Sequence, residues 1–86
     1  MTDAELLAKI KNGLNITGDF QDETLAVYIE NAKEFMKSAG VKESVIKSPA
    51  SVGCILQGVS DLWVEKRSDF SNVFKMRVVQ LALKKE

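Results

Sequence analysis

Residues 2–40, TDAELLAKIKNGLNITGDFQDETLAVYIENAKEFMKSAG, read as two amphipathic helices joined by a short glycine-punctuated loop. In the second of them Leu25, Tyr28, Ile29, Ala32, Phe35, Met36 and Ala39 recur at spacings of three and four, which gathers seven apolar side chains on one face. Such a face is stable in water only when something covers it. The stretch points to assembly, not catalysis.

The signals around the two helices set their limits. Thr2 and Glu5 are spaced as a capping box that opens the first helix, and Leu6, Leu7, Ile10 and Leu14 form its apolar stripe. Gly13 is placed to stop it, with Leu14 folding back onto the last turn and residues 15–18 making a polar connection. Asp19 or Asp22 caps the second helix, which is expected over about residues 22–39 and closed by Gly40. Glu30, Asn31, Lys33, Glu34, Lys37 and Ser38 face away from its stripe.

Further along, residues 42–47 read as a single helical turn or a loop anchored by Val45 and Ile46. Ser48-Pro49 is a start signal, because serine caps and proline fits the first helical position, where its missing N–H costs nothing. A third helix is expected from there to about Lys66, with Val52, Ile55, Leu56, Val59, Leu62 and Trp63 as its buried stripe. Gly53 and Gly58 interrupt it at roughly 1 kcal/mol each relative to alanine, so they mark either close helix approach or tolerated imperfections. The last segment, SNVFKMRVVQLALKKE from Ser71, fits two periods. Phe74, Met76 and Val78 alternate as in a strand, whereas a helix capped by Ser71 leaves Arg77, Gln80 and Lys84 as a narrow polar stripe on an otherwise apolar cylinder. Length favours the helix. Either form carries more apolar surface than a surface helix needs, which suggests burial against another subunit.

The expectation is an all-α fold: one domain, 1–86, built as a small bundle of three to four helices with a short extra turn, its C-terminal segment helical or extended. At 86 residues and 45% apolar content such a domain has a core of marginal size. Twelve basic and twelve acidic residues give a formal net charge of zero, so no global attraction draws the chain to nucleic acid or anionic lipid. The charge is nonetheless polarised: residues 1–65 carry a balance of minus four and residues 66–86 a balance of plus four. A chain of this kind can set the basic end of one copy against the acidic face of the next, although locally paired charges on a solvated surface produce the same pattern. No apolar run approaches the ~20 residues that span a bilayer, and the N-terminus shows no signal core, so a cytoplasmic site of synthesis and use is expected.

Chemistry finds little support. The chain has no histidine, which removes the commonest general base, the usual nucleophile pairs and the most frequent transition-metal ligand together. Cys54, the only cysteine, lies in the apolar stretch SVGCIL and reads as a small buried hydrophobe. The acids Asp19, Asp22 and Glu23 lack the glycine and downstream glutamate of a calcium loop and suit a helix start. The five glycines are dispersed and build no phosphate-cradling loop, and Asn15-Ile16-Thr17 matches a glycosylation triplet without a secretory signal to give it meaning. No catalytic, cofactor-binding or metal residues are therefore assigned, and no enzyme activity is expected.

The pattern Leu6, Leu7, Ile10, Lys11 and Leu14, then Asp22, Leu25, Ile29 and Ala32, resembles the small head-tail connector (adaptor) proteins of long-tailed bacteriophages and prophages. The closing VFKMRVVQLAL, residues 73–83, is similar to the end of versions from Gram-positive hosts, with Gln80-Leu81 at the matching place. The resemblance implies an all-helical structural subunit, without catalysis, that docks as a homo-oligomeric ring beneath the portal protein and extends the DNA channel. It would offer a platform to the stopper or tail-completion protein. DNA would pass through without sequence-specific binding, no membrane would be involved, and the protein would reside at the head-tail interface of the virion after assembly in the host cytoplasm. The same resemblance implies that Val73, Phe74, Arg77, Val78, Gln80, Leu81 and Lys84 contact the portal or a neighbouring subunit, so aspartate at Val78 or Leu81 is expected to damage assembly more than folding. The alternative is a small DNA-binding or regulatory helical protein, for which Lys75, Arg77, Gln80, Lys84 and Lys85 offer only a sparse recognition face.

Overall fold

The computed structural model describes residues 1–83, all of whose regular structure is helical. Five α-helices follow in order, α1 (Asp3–Gly13), α2 (Asp22–Ser38), α3 (Glu43–Ile46), α4 (Val52–Trp63) and α5 (Asn72–Ala82), with a 3-10 turn over Pro49–Ser51 leading into α4. Helix α4 is the hub: α1, α2 and α5 all pack on it, and α3 packs beside α2. The core joins Leu6 and Ile10 of α1, Leu25, Ile29, Ala32 and Met36 of α2, Val45 and Ile46 of α3, Ile55 and Val59 of α4, and Phe74 and Val78 of α5. Each such side chain taken fully out of water contributes roughly 1.5–3 kcal/mol, which is how short helices that are marginal alone hold one another.

Local signals explain most of the boundaries. Thr2 and Glu5 form the expected capping box: Glu5 N–H donates to Thr2 Oγ1 at 3.1 Å, and Thr2 N–H donates to Glu5 Oε1 at 2.9 Å. That pairing holds the Glu5 carboxyl below the usual carboxylate range, the Thr2 backbone donor being the main cause. The end of α1 differs from the expectation. Gly13 lies inside the helix, and Asn15 takes the left-handed turn at φ 59°, while Asn15 and Ile16 N–H groups donate to the Asn12 and Lys11 carbonyls at 3.1 and 2.9 Å. This is a Schellman ending with asparagine in the place usually held by glycine, and Ile16 folds back against the core. A Cβ at Gly13 would sit 2.7 Å from Leu56 Cδ2, the far end of a flexible side chain that would have to turn aside.

Helix α2 ends as expected, on Gly40 at φ 95°, with Gly40 and Val41 N–H groups donating to Lys37 and Met36. Its start is a correction. The N-cap is Gln21, which makes no side-chain cap bond, and neither Asp19 nor Asp22 takes that role. Asp22 pairs with Lys11, whose Nζ lies 2.7 Å from Asp22 Oδ1 and also donates to the Gly18 carbonyl. One lysine thus ties the loop between α1 and α2 to the positive end of α2, where a carboxylate is favoured.

Residues 42–47 contain the expected single turn, α3. Ser48 caps as expected, accepting from Ala50 N–H, but Pro49 opens the 3-10 turn rather than α4 itself. Ser51, buried at the junction, donates from Oγ to the Ile46 and Ser48 carbonyls at 2.6 and 3.0 Å. Helix α4 stops at Trp63, three residues short of the expected end, with Val64 at its C-cap. The C-terminal segment is helical, and Ser71 caps it by accepting from Phe74 N–H.

Candidate functional site

Three features of α5's inner side fix its seat on α4. Phe74 enters an aromatic cluster, its ring centroid 4.3 Å from Phe70 in a stacked pair and 5.5 Å from Phe35 of α2. Phe35 meets Phe70 edge-on at 5.4 Å, so the loop before α5, α5 itself and α2 share one set of rings. Gly58 opens the room for them: a Cβ there would lie 2.7 Å from Phe74 Cε1 and 3.2 Å from Phe70 Cε1. Close approach is thus the reason for Gly58, while Gly53, whose Cβ would meet only Arg77 Nη1 at 3.5 Å, has no such requirement.

The third feature is Asp61, a buried carboxylate on α4 that the sequence offers only as one acid among twelve. Asp61 Oδ2 accepts from Ser71 N–H and Ser71 Oγ at 2.9 and 2.7 Å, and Oδ1 accepts from Gln57 Nε2 at 3.1 Å. Because Ser71 is the N-cap of α5, these bonds pin the start of α5 to the last turn of α4. Nothing in the spacing of Asp61 and Ser71 announces the pair.

With its inner side so anchored, α5 still exposes an apolar outer face. Val73, Met76, Val79 and Leu83 are 52%, 65%, 56% and 77% exposed. Of the residues expected to touch partners, Val73, Arg77 and Gln80 are exposed on this helix, and Leu81 is half-buried against the core. Phe74 and Val78 have no exposed surface: they belong to the core, and α5 presents Met76, Val79 and Leu83 outward in their place. Lys84 lies outside the described residues.

Along one edge of α5 runs a cleft of about 430 Å³, lined by Ala50 of the 3-10 turn, Gly53 and Cys54 from the start of α4, and by Arg77, Gln80, Leu81 and Leu83. Cys54 is buried at its wall, and burial pushes the thiol up to about 11, with the Arg77 guanidinium pulling weakly the other way. At neutral pH it is protonated and acts as a small apolar group. The other described basic groups near α5 have local partners: Lys75 Nζ lies 3.5 Å from Asp69 Oδ2, Arg67 Nε donates to the Asp69 carbonyl, and Lys66 Nζ sits 4.8 Å over the Trp63 ring. Asp69 is held below the usual carboxylate range, first by the Phe70 N–H and then by Lys75. Among the described residues Arg77 forms no ion pair with a carboxylate.

A second surface stands out away from the cleft lining. Phe20, in the loop between α1 and α2, is 94% exposed. Asp19 and Glu23 lie beside it, and the outward stripe of α2 continues from there as Glu23, Val27, Glu30 and Glu34, all exposed. Among the described residues no three metal-ligating side chains come together, and no helix is long and apolar enough to cross a membrane.

Two apolar features thus stay exposed, one beside Arg77 and one among acids. No match to the chain was found among curated proteins or solved structures. A protein-family model, described as phage gp6-like head-tail connector protein, matches residues 4–85.

Proposed function

The chain belongs to the phage gp6-like head-tail connector family, a family of structural virion components, and from that premise we propose that it assembles as a ring beneath the portal. In that position it extends the channel through which DNA passes and receives the stopper or tail-completion protein on its far side. The host cytoplasm is where it meets these partners. The observation that carries this reading is α5, which buries Phe74 and Val78 in the core yet leaves Val73, Met76, Val79 and Leu83 outside. An apolar face of that length on a small domain is a contact surface for a protein rather than for the DNA backbone, because among the described residues Arg77 is exposed without a carboxylate partner and Lys75 is paired with Asp69. We assign this face to the portal or to the neighbouring subunit.

Native mass spectrometry of the chain, alone and mixed with the portal protein of the same genome, tests the proposal. A many-copy complex with the portal is the expected result. A chain that stays monomeric in the presence of the portal overturns it.

A further inference from the structure

Phe20 and the cleft beside α5 are separate surfaces of the chain. Phe20 sits in the loop between α1 and α2 and is 94% exposed, whereas the cleft is walled by residues of the 3-10 turn, α4 and the end of α5, so Phe20 does not fill its own cleft.

The two features match in shape and charge. Phe20 is the most exposed large hydrophobic residue described and is flanked by Asp19 and Glu23, neither of which forms an ion pair among the described residues. The cleft joins apolar walls, Cys54 and Leu81, to the guanidinium of Arg77, a group that stacks on aromatic rings and attracts carboxylates. We infer that Phe20 of one copy of this chain inserts into the Gly53–Cys54–Arg77–Leu81 cleft of the next. Arg77 then lies over the ring and between the two acids, which joins the polarised ends of successive subunits. A knob and a hole on different surfaces of the chain make the contact heterologous, the type that repeats around a closed ring. The inference rests on the connector reading and gives its subunit contact.

The full chain is tested with Phe20→p-benzoylphenylalanine, irradiated in the presence of the portal and mapped by mass spectrometry. The expected product joins position 20 of one copy to residues 50–54 or 77–83 of another. Cross-links only to the portal, or to other surfaces of the chain, overturn the inference. Phe20→Asp supplies a second readout, since so exposed a side chain is changed without loss of the fold, which a melting curve verifies. It is expected to weaken association between copies by ~30-fold or more, as loss of an aromatic anchor does. Arg77→Asp is expected to weaken it as well, with partial recovery on adding Asp19→Arg. If Phe20→Asp joins the portal with the parent's copy number and affinity, the inference fails while the connector reading stands. If the parent chain itself never joins the portal, both fail.

Discussion

Helices α2 and α5 bury similar apolar stripes and differ in what they leave outside. Leu25, Ile29, Ala32 and Met36 of α2 enter the core while Glu23, Glu30 and Glu34 face water, so α2 is satisfied by folding. On α5, Phe74 and Val78 enter the core while Val73, Met76, Val79 and Leu83 remain exposed. Apolar residues therefore mean different things on the two helices. On α2 most of them measure the core, and on α5 they measure the core plus an exposed apolar face, the one proposed above as a contact surface.

The sharpest test of that division is Val78→Asp. Val78 is fully enclosed, and a carboxylate placed there has no partner, so a loss above ~4 kcal/mol is expected, enough to unfold much of a domain this small. Circular dichroism of the isolated variant should show a collapsed melting transition. The sequence points instead to more damage to assembly than to folding at this position, and the difference lies in the inward direction of the Val78 side chain. Leu81, half-buried against the core, is likewise a mixed test rather than an assembly probe. A Val78→Asp monomer that melts like the parent would erase the distinction between the two sides of α5.

The seat of α5 offers a second, smaller effect. Asp61→Ala removes the acceptor for Ser71 N–H, Ser71 Oγ and Gln57 Nε2, and a cost of about 1–3 kcal/mol is expected from the donors left behind. Hydrogen exchange should show the added opening first in α5 and the loop before it, since Asp61 is what pins the start of that helix. An even loss of protection across α1 and α2 would mean that α5 is an equal part of the bundle and not an element docked on α4.

Which of these facts are visible in the chain depends on how local their causes are. The Thr2–Glu5 capping box, the Gly40 ending of α2, the Ser48-Pro49 turn and the Ser71 cap all act within a few residues, and each is legible. The stripe of α2 is legible too, because its charged face leaves one side to bury. On α5 both sides are apolar, so the spacing fits a strand as well as a helix, length alone favours the helix, and nothing says that Phe74 and Val78 turn inward. Asp61 is hidden for a different reason: its partner is ten residues on, across a loop whose path only the tertiary structure defines. Asn15 takes the turn expected of Gly13, asparagine being, after glycine, the residue that most readily adopts that left-handed conformation.

The two glycines of α4 compare the helix's two ends at still smaller energies. Gly58→Ala drives a methyl into Phe74 and Phe70, which the aromatic cluster cannot yield easily, and about 1–3 kcal/mol should be lost. Gly53→Ala meets only the end of the Arg77 side chain and should stabilise the helix by roughly 0.5–1 kcal/mol through backbone entropy. Thermal melts of the two variants should move in opposite directions. Equal shifts would show that α5 does not press on α4 at Gly58 as the ring contacts indicate.

The smallest change in the monomer is expected from the outer face of α5. Met76→Asp and Val79→Asp place a charge where the side chain already meets water, so stability should stay within ~0.5 kcal/mol of the parent. Their effect belongs to assembly, where an unpaired carboxylate pressed into an apolar contact loses its hydration without compensation. Melting curves like the parent's, together with loss of the many-copy complex in native mass spectrometry, are the expected pair of results. The same substitution on α2, Val27→Asp, adds a fourth acid to a stripe that already carries Glu23, Glu30 and Glu34, so its monomer should also be unaffected. Assembly distinguishes the two helices: if aspartate on α5 is tolerated as well as aspartate on α2, the exposed apolar face of α5 has no partner, and its surplus over α2 is only surface.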